Sequence, residues 1–264
     1  MLWYEDSNGD GLYDIYIGSE SGVVEANTNG QGMFAYLENV EYLDLTNLDT
    51  SKMTNMSSMF RGSNSLKEIK LSNFDTSSVT SMRDMFTGCS SLETLDVSNF
   101  DTGSVTTMFG MFQGCSSITT LDLSNFDTSS VTEMGSLPGW SYGGMFQGCS
   151  SLVSLNLNGW NTSNVTDMGQ MFSSCSKLTS LDLSNFNTSN VTSMTLMFSY
   201  NLKLVTIYVS ELWTTDSVTT STNMFYGCYS LVGALGTKYN SNYSDKTYAR
   251  VDKEDSPGYF TLKS

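Results

Sequence analysis

The chain has 264 residues and a formal net charge of −15, from 12 Lys and Arg against 27 Asp and Glu. A charge of this sign repels a phosphate backbone, so nucleic acid is excluded as the expected partner. The chain has no His. This removes the commonest zinc sites and the His-activated Ser and Cys nucleophiles, so an enzyme is not expected. No apolar run reaches the roughly 18 residues that span a bilayer, and residues 1–5 lack the pattern of a secretory signal.

The N-terminal segment carries oxygen-bearing side chains at close spacing, at Asp6, Asn8, Asp10 and Asp14. These are the hard ligands that Ca²⁺ prefers, and the glycines between them permit a sharp turn. The alternative is a plain tight turn between strands at 2–5 and 12–17. An EF-hand is disfavoured, because Ile17 stands where its distal Glu would be. Both interpretations predict a β-hairpin within residues 1–32 that caps the first coil of a repeat.

A repeat marked by the dipeptide Met-Phe follows. Its Phe residues are spaced by 26, 26, 26, 34, 26, 26 and 27 residues, at Phe34, Phe60, Phe86, Phe112, Phe146, Phe172, Phe198 and Phe225. A unit of this length cannot bury its own apolar face, so neighbouring units must stack into one core. We therefore expect a solenoid of about eight coils over residues 33–236.

The first half of each unit predicts a short strand. Alternating apolar residues, as in Leu121-x-Leu123 and Leu181-x-Leu183, bury one side of it. An aromatic core residue follows, at Phe74, Phe100, Phe126, Trp160 and Phe186. We expect these strands to form one long parallel sheet with an exposed concave face.

The second half of each unit predicts a short helix or 3₁₀ turn. Apolar residues at spacings of three, three and one, as at Val79, Met82, Met85 and Phe86, fall on one side of such a turn. The expected fold class is an α/β leucine-rich-repeat solenoid. Each 26-residue coil would hold one short parallel strand and one short helix or 3₁₀ turn.

Five cysteines each lie three residues after a repeat Phe, at Cys89, Cys115, Cys149, Cys175 and Cys228. Their common register makes them one column of the stack, and side chains in register point the same way. We expect buried free thiols rather than disulfides.

The repeat string itself resembles a known family. Met-Phe-x-Gly-Cys-Ser-Ser-x-x-x-Leu-Asp-Leu-Ser-Asn-Phe-Asp-Thr-Ser-x-Val-Thr-x-Met, at residues 111–134, is similar to the 26-residue repeat of BspA-like bacterial leucine-rich-repeat surface proteins. Departures occur at the Cys position, which holds Leu37, Ser63 and Asn201, and at the aromatic position, which holds Leu48. The resemblance implies an extracellular or cell-surface location and adhesion to host matrix proteins or other cells.

One residue of each predicted strand points outward between two buried ones, at Asp44, Lys70, Asp96, Asp122, Asn156, Asp182 and Tyr208. The four acidic members, Asp44, Asp96, Asp122 and Asp182, are candidate contacts for a basic or cation-carrying partner. The alternative is a charge ladder that only keeps the repeat soluble.

The interval of 34 residues locates an eight-residue insertion between Met134 and Met145, spanning residues 135–144. It carries Trp140 and Tyr142, which are candidate contacts on an outward loop. Trp140 folding back over its own coil is an equal alternative. After residue 236 the period is lost, and residues 237–264 are expected to cap the last coil with a final short strand.

The predicted function is a non-enzymatic cell-surface binding or adhesion module. As a monomer, it would engage a protein or glycan of a host or neighbouring cell through the concave sheet face or the Gly135–Gly144 loop. No cofactor is expected apart from Ca²⁺ at the N-terminal loop. The alternative is a rigid structural spacer or display stalk of a larger surface protein.

Overall fold

The repeats stack in register in the computed structural model, which describes residues 2–6, 9, 11–18, 22–135 and 143–263. A ladder of parallel bridges joins successive coils at Asn29, Asn55, Ser81, Thr107, Glu133, Asp167, Ser193 and Thr220. The steps along this ladder have the same lengths as the intervals of the Met-Phe repeat, but the step of 34 residues comes one coil later, from Glu133 to Asp167, because the insertion lies between Glu133 and Phe146. The insertion therefore leaves the stack undisturbed, and the predicted solenoid is confirmed.

The predicted N-terminal hairpin is present. Strand β1 (Leu2–Glu5) pairs with β2 (Tyr13–Ile17) in antiparallel orientation, and β2 pairs in parallel with β4 (Val40–Asp44) of the first coil. A second parallel pair, β3 (Val24–Glu25) with β5 (Leu48–Asp49), forms on another side of the coil. The hairpin thus covers the strand of the first coil.

The remaining strands form separate short sheets. They are β6 (Glu68–Lys70), β7 (Thr120–Asp122), β8 (Ser154–Asn156), β9 (Ser180–Asp182) and β10 (Thr206–Val209). β6 pairs with β4, β7 with β8, and β9 with β10, all in parallel. Residues 94–97 form no strand. The expectation of a strand in every coil and one continuous sheet is therefore wrong.

Two ladders of aromatic rings run through the core. The repeat Phe rings stack with centroids 5.3 to 5.9 Å apart from Phe34 to Phe225. The aromatic residues that follow the strands lie 6.1 to 6.5 Å apart, at Phe74, Phe100 and Phe126 and at Trp160 and Phe186. The rings of the second ladder are therefore farther apart than those of the first.

The second half of each coil is a series of turns. The expected short helix or 3₁₀ turn is wrong, since residues 22–135 and 143–240 contain no helix. The amides of Met85 and Thr87 donate to carbonyls three residues back, whereas those of Asp84 and Phe86 donate to the next coil. A helix would keep these bonds within its own segment and leave no backbone bonds between the coils on this side. Asp84 has φ of 56°, as residue i+2 of a type II turn requires.

Residues 237–263 close the far end of the stack. Two 3₁₀ helices, Ser241–Tyr243 and Lys246–Tyr248, precede β11 (Phe260–Leu262), which pairs in parallel with β10. Phe260 is fully buried, so the predicted final strand covers the last coil. No helix among the described residues is long and apolar enough to cross a membrane.

Candidate functional site

The outward residues of the strands lie in register on one surface, which we call the strand face. Asp44 is paired with Lys70, Asp122 with Asn156, and Asp182 with Tyr208 across neighbouring strands. The structure therefore brings the sequence-predicted residues of this column onto one side of the molecule.

Each acidic residue of the column also serves its own backbone. The carboxylates accept from the amide two residues later, at 2.9 Å for Asp44 and 3.0 Å for Asp96, Asp122 and Asp182. The same bond occurs away from the strand face at Asp75, Asp101 and Asp127. This is turn chemistry typical of Asp. The acidic column is thus explained in part by local folding.

These bonds keep the strand face negatively charged. Hydrogen bonds from Ser98 lower the pKa of Asp96, and those from Ser124 lower the pKa of Asp122. Burial raises the pKa of Asp182, but hydrogen bonds from Lys263 and Ser184 outweigh it, so that this pKa is lowered as well. The carboxylates are ionised at neutral pH.

The four carboxylates differ in how far they are already engaged. Asp44 accepts hydrogen bonds from the amide and the hydroxyl of Thr46 and from the Tyr42 hydroxyl. Asp182 forms an ion pair with Lys263. Asp122 accepts from Asn156 Nδ2 at 2.9 Å. Within the described part of the chain, neither Asp96 nor Asp122 forms an ion pair.

A cleft of about 680 Å³ opens beside these two carboxylates. It lies where residues 94–97 fail to join the neighbouring strands. Its walls include Lys70, Asp96 and Asp122, with hydroxyl groups of Thr94 and Ser98 between them. Leu95 and Val97 also line it. The cleft offers carboxylates, hydroxyls and apolar surface together.

The insertion leaves the stack at a closed root. The Met145 amide donates to the Met134 carbonyl at 3.0 Å, and the Gly135 amide donates to the backbone carbonyl of Asp167 in the next coil at 3.0 Å. The candidate contacts Trp140 and Tyr142 lie outside the described residues. Their role stays a prediction.

The candidate calcium loop is described only in part. The Asp6 carboxylate accepts from the amides of Gly9 and Gly11 at 2.8 and 3.3 Å. Asp14 lies within β2, opposite Glu5 of β1. Asn8 and Asp10 lie outside the described residues. The described residues contain no group of three or more acidic, His or Cys side chains suited to a metal, and calcium binding stays a prediction.

The cysteine column is buried and unoxidised, as predicted. Each Sγ donates to the carbonyl of the repeat Phe one coil earlier, at 2.9 to 3.2 Å. Ser63 and Asn201, which stand at the same position, donate to the equivalent carbonyls of Phe34 and Phe172, each at 2.9 Å. The replacement of Cys by Ser and Asn was the sequence signal for this donor role, which the sequence analysis missed. Burial raises the pKa of Cys149 to about 12, so the thiol is no nucleophile.

A buried acid beside the insertion was also missed. Asp167 is 7% exposed, and its carboxylate accepts from the Gly169 amide at 2.7 Å. Burial raises its pKa to about 6, and the charge of Glu133 in the preceding coil adds to the effect. The same position holds Glu133 in the preceding coil and Ser193 in the following one, so the sequence showed an acid here but not that it is buried.

The family model described as Mycoplasma protein of unknown function, DUF285, matches residues 28–138 and 141–253. The chain belongs to this family. The match covers most of the chain. It confirms the family resemblance that the repeat sequence indicated. A solved leucine-rich repeat protein from Bacteroides ovatus ATCC 8483 is similar at 15% identity and a TM-score of 0.43, over 88% of this chain and 68% of that chain. A search of curated proteins gives no match.

Proposed function

We propose that this chain is a non-enzymatic binding module displayed on a cell surface. It engages a protein or glycan of a host or neighbouring cell through the strand face. The observation that carries the proposal is the cleft beside Asp96 and Asp122. The lack of His and the burial of every thiol support a non-catalytic role.

The chemistry of the cleft favours a partner with basic groups. Asp96 and Asp122 are ionised and exposed, and neither has an ion-pair partner among the described residues. Opposite charge across an interface speeds association and selects the partner. The hydroxyls of Thr94 and Ser98 add donors and acceptors for polar groups of the ligand.

The turn bonds of the acidic residues favour a second candidate, a rigid spacer. In that role each Asp would serve only its own turn, and the strand face would only be solvated. The two functions differ in one respect, because only the binding module needs the negative charge at the cleft.

The test screens the intact chain against glycan and matrix-protein arrays and compares two double variants. D96N with D122N removes the charge at the cleft but keeps an oxygen to accept the turn amide. D101N with D127N is the matched control, because it removes two exposed carboxylates with the same turn bond elsewhere on the coils.

We expect the cleft variant to lose at least about tenfold in affinity for a ligand found on the array, which corresponds to about 1.4 kcal/mol. The control should bind like the unmodified chain. A silent array, or a cleft variant that is more stable and binds unchanged, would favour the spacer.

Calcium at the N-terminal loop belongs to the proposal as a separate part. It would fix the hairpin over the first coil through Asp6, Asn8, Asp10 and Asp14. Titration with Ca²⁺ should then raise the Tm in a saturable way, and Asp6→Asn should abolish the rise. The same Tm in calcium and in chelator would contradict calcium binding and favour a hairpin with an ordinary tight turn.

A further inference from the structure

The last two coils expose a group of large side chains on one corner, which we call the tyrosine face. Its members and their exposed fractions are Tyr200 (50%), Leu202 (47%), Tyr226 (42%) and Tyr229 (69%). The rings of Tyr200 and Tyr226 are in edge contact at 5.3 Å, and the Ser230 hydroxyl bonds to the Leu202 carbonyl. The four side chains therefore form one patch across two coils.

Three of these side chains are larger than the residues at the same position of most other coils, although the Tyr229 ring also contacts Tyr239 at 5.8 Å. The position of Tyr200 holds glycine in five other coils, at Gly62, Gly88, Gly114, Gly148 and Gly227. The position of Leu202 and Tyr229 holds serine in four, at Ser90, Ser116, Ser150 and Ser176. Tyr200 even has φ of 59°, a left-handed conformation that glycine adopts more readily. The aromatic residues thus stand where smaller ones fit the coil better.

Charge sets this corner apart from the rest of the chain. Residues 183–244, which carry the whole tyrosine face, contain two acidic residues, Glu211 and Asp216, and two lysines, Lys203 and Lys238. Residues 1–182 hold 21 of the 27 acidic residues and only 6 of the 12 basic ones. The strongly acidic region therefore lies in the N-terminal part of the chain. The aromatic patch lies in the C-terminal part, with lysines close to it in the sequence.

We propose that the tyrosine face docks the acidic coils of a second copy of this chain. Tyrosine is enriched at the centres of protein interfaces, where its ring buries a large area at a small entropic cost. Lys203 beside Leu202 would meet acidic side chains of the second copy. Elsewhere the excess of negative charge keeps two copies apart.

The contact joins two different surfaces, so the association is head to tail. The second copy keeps its own tyrosine face free, and a third copy can add at high concentration. Screening of the lysines by salt should weaken the association, because the charged groups lie at the rim of the patch.

The experiment is sedimentation equilibrium of the intact chain over a wide range of concentration at low and high salt. The test variant combines Tyr200→Gly, Leu202→Ser and Tyr229→Ser, which places at each position the residue of other coils. Its folding is checked by thermal unfolding. The matched control is Tyr36→Gly, because Tyr36 has the same register as Tyr200, φ of 59° and an exposed fraction of 64%.

We expect the mass of the unmodified chain to rise above that of the monomer with concentration and to fall again at high salt. The test variant should have a dissociation constant at least about tenfold larger, and the control should associate like the unmodified chain. A monomer at every concentration overturns the proposal. Equal association of the test variant, or association that salt strengthens, overturns it as well.

Discussion

At the scale of single residues, the polar columns of the repeat link one coil to the next. The hydroxyls of Thr50, Thr76 and Thr102 donate to carbonyls of the following coil at 2.8 to 2.9 Å, and all three residues are 1% exposed. The thiols donate in the other direction. Spacing in the sequence predicted that these residues are buried in register. The spacing could not predict their hydrogen bonds, because it shows which side of the coil a residue lies on but not which atom it bonds to.

The cysteine column gives a test of this role. Cys115→Ser keeps a donor for the Phe86 carbonyl, as Ser63 does one coil from the end of the stack. Cys115→Ala removes the donor and leaves a small cavity, and we expect it to lower the free energy of unfolding by about 1–2 kcal/mol. Urea unfolding should rank the unmodified chain above the Ser variant and the Ser variant above the Ala variant. An Ala variant as stable as the Ser variant would contradict the donor role.

Asp167 gives a pH-dependent test. Burial raises its pKa to about 6, so the native state keeps a proton that the unfolded chain releases. Stability is therefore greatest below the ordinary pKa of Asp and falls as pH rises to about 6, and the loss persists at pH 7. Asp167→Asn should raise the free energy of unfolding at pH 7 by about 1–3 kcal/mol and leave it unchanged near pH 4.

The control for this prediction is Asp127→Asn. Hydrogen bonds from Ser129 lower the pKa of Asp127, so its removal should give no gain at pH 7. A gain that is equal at pH 4 and pH 7 for Asp167→Asn would show that burial of the charge is not its cause.

At the scale of elements, the apolar pattern predicted where each half of a coil lies but not its local conformation. The spacing of Val79, Met82 and Met85 suits a helix and a series of turns equally well. Whether a helix or turns form depends on whether alternate amides donate to carbonyls of another coil. The sequence of a single repeat does not show these bonds between coils. The Leu pattern likewise predicts a strand at residues 94–97, where the structure has none.

The insertion should be removable without loss of the fold. Its root is closed by the bond between Met145 and Met134, so replacing residues 135–144 by Gly-Gln, the pair at Gly169 and Gln170 of the next coil, restores the ordinary length. We expect a Tm within a few degrees of the unmodified chain, measured by circular dichroism. Loss of cooperative unfolding would show that the loop is part of the core.

The same variant tests the predicted contacts of the loop. If Trp140 and Tyr142 bind the partner, the variant should lose binding on the array while its fold is kept. Binding that is unaltered in the folded variant would remove the loop as a candidate and leave the strand face.

At the scale of the whole molecule, the period of the sequence predicted the stack, its shared core and its two closed ends. The candidate site was predicted in part, because the acidic column lies on one surface as expected. The cleft and the tyrosine face could not be predicted in the same way. The cleft lies where one coil has no strand, and the tyrosine face consists of residues brought together at one corner of two coils.

The most direct test of the account measures distances between spin labels on exposed threonines of different coils. One label stands at Thr54, and the second at Thr132, Thr166 or Thr192, all of them exposed. Each further coil should add one step of about 5 Å. The step from Thr132 to Thr166, across 34 residues, should equal the step from Thr166 to Thr192, across 26. Distances that follow the number of residues, or that do not increase from coil to coil, would contradict a stack in register.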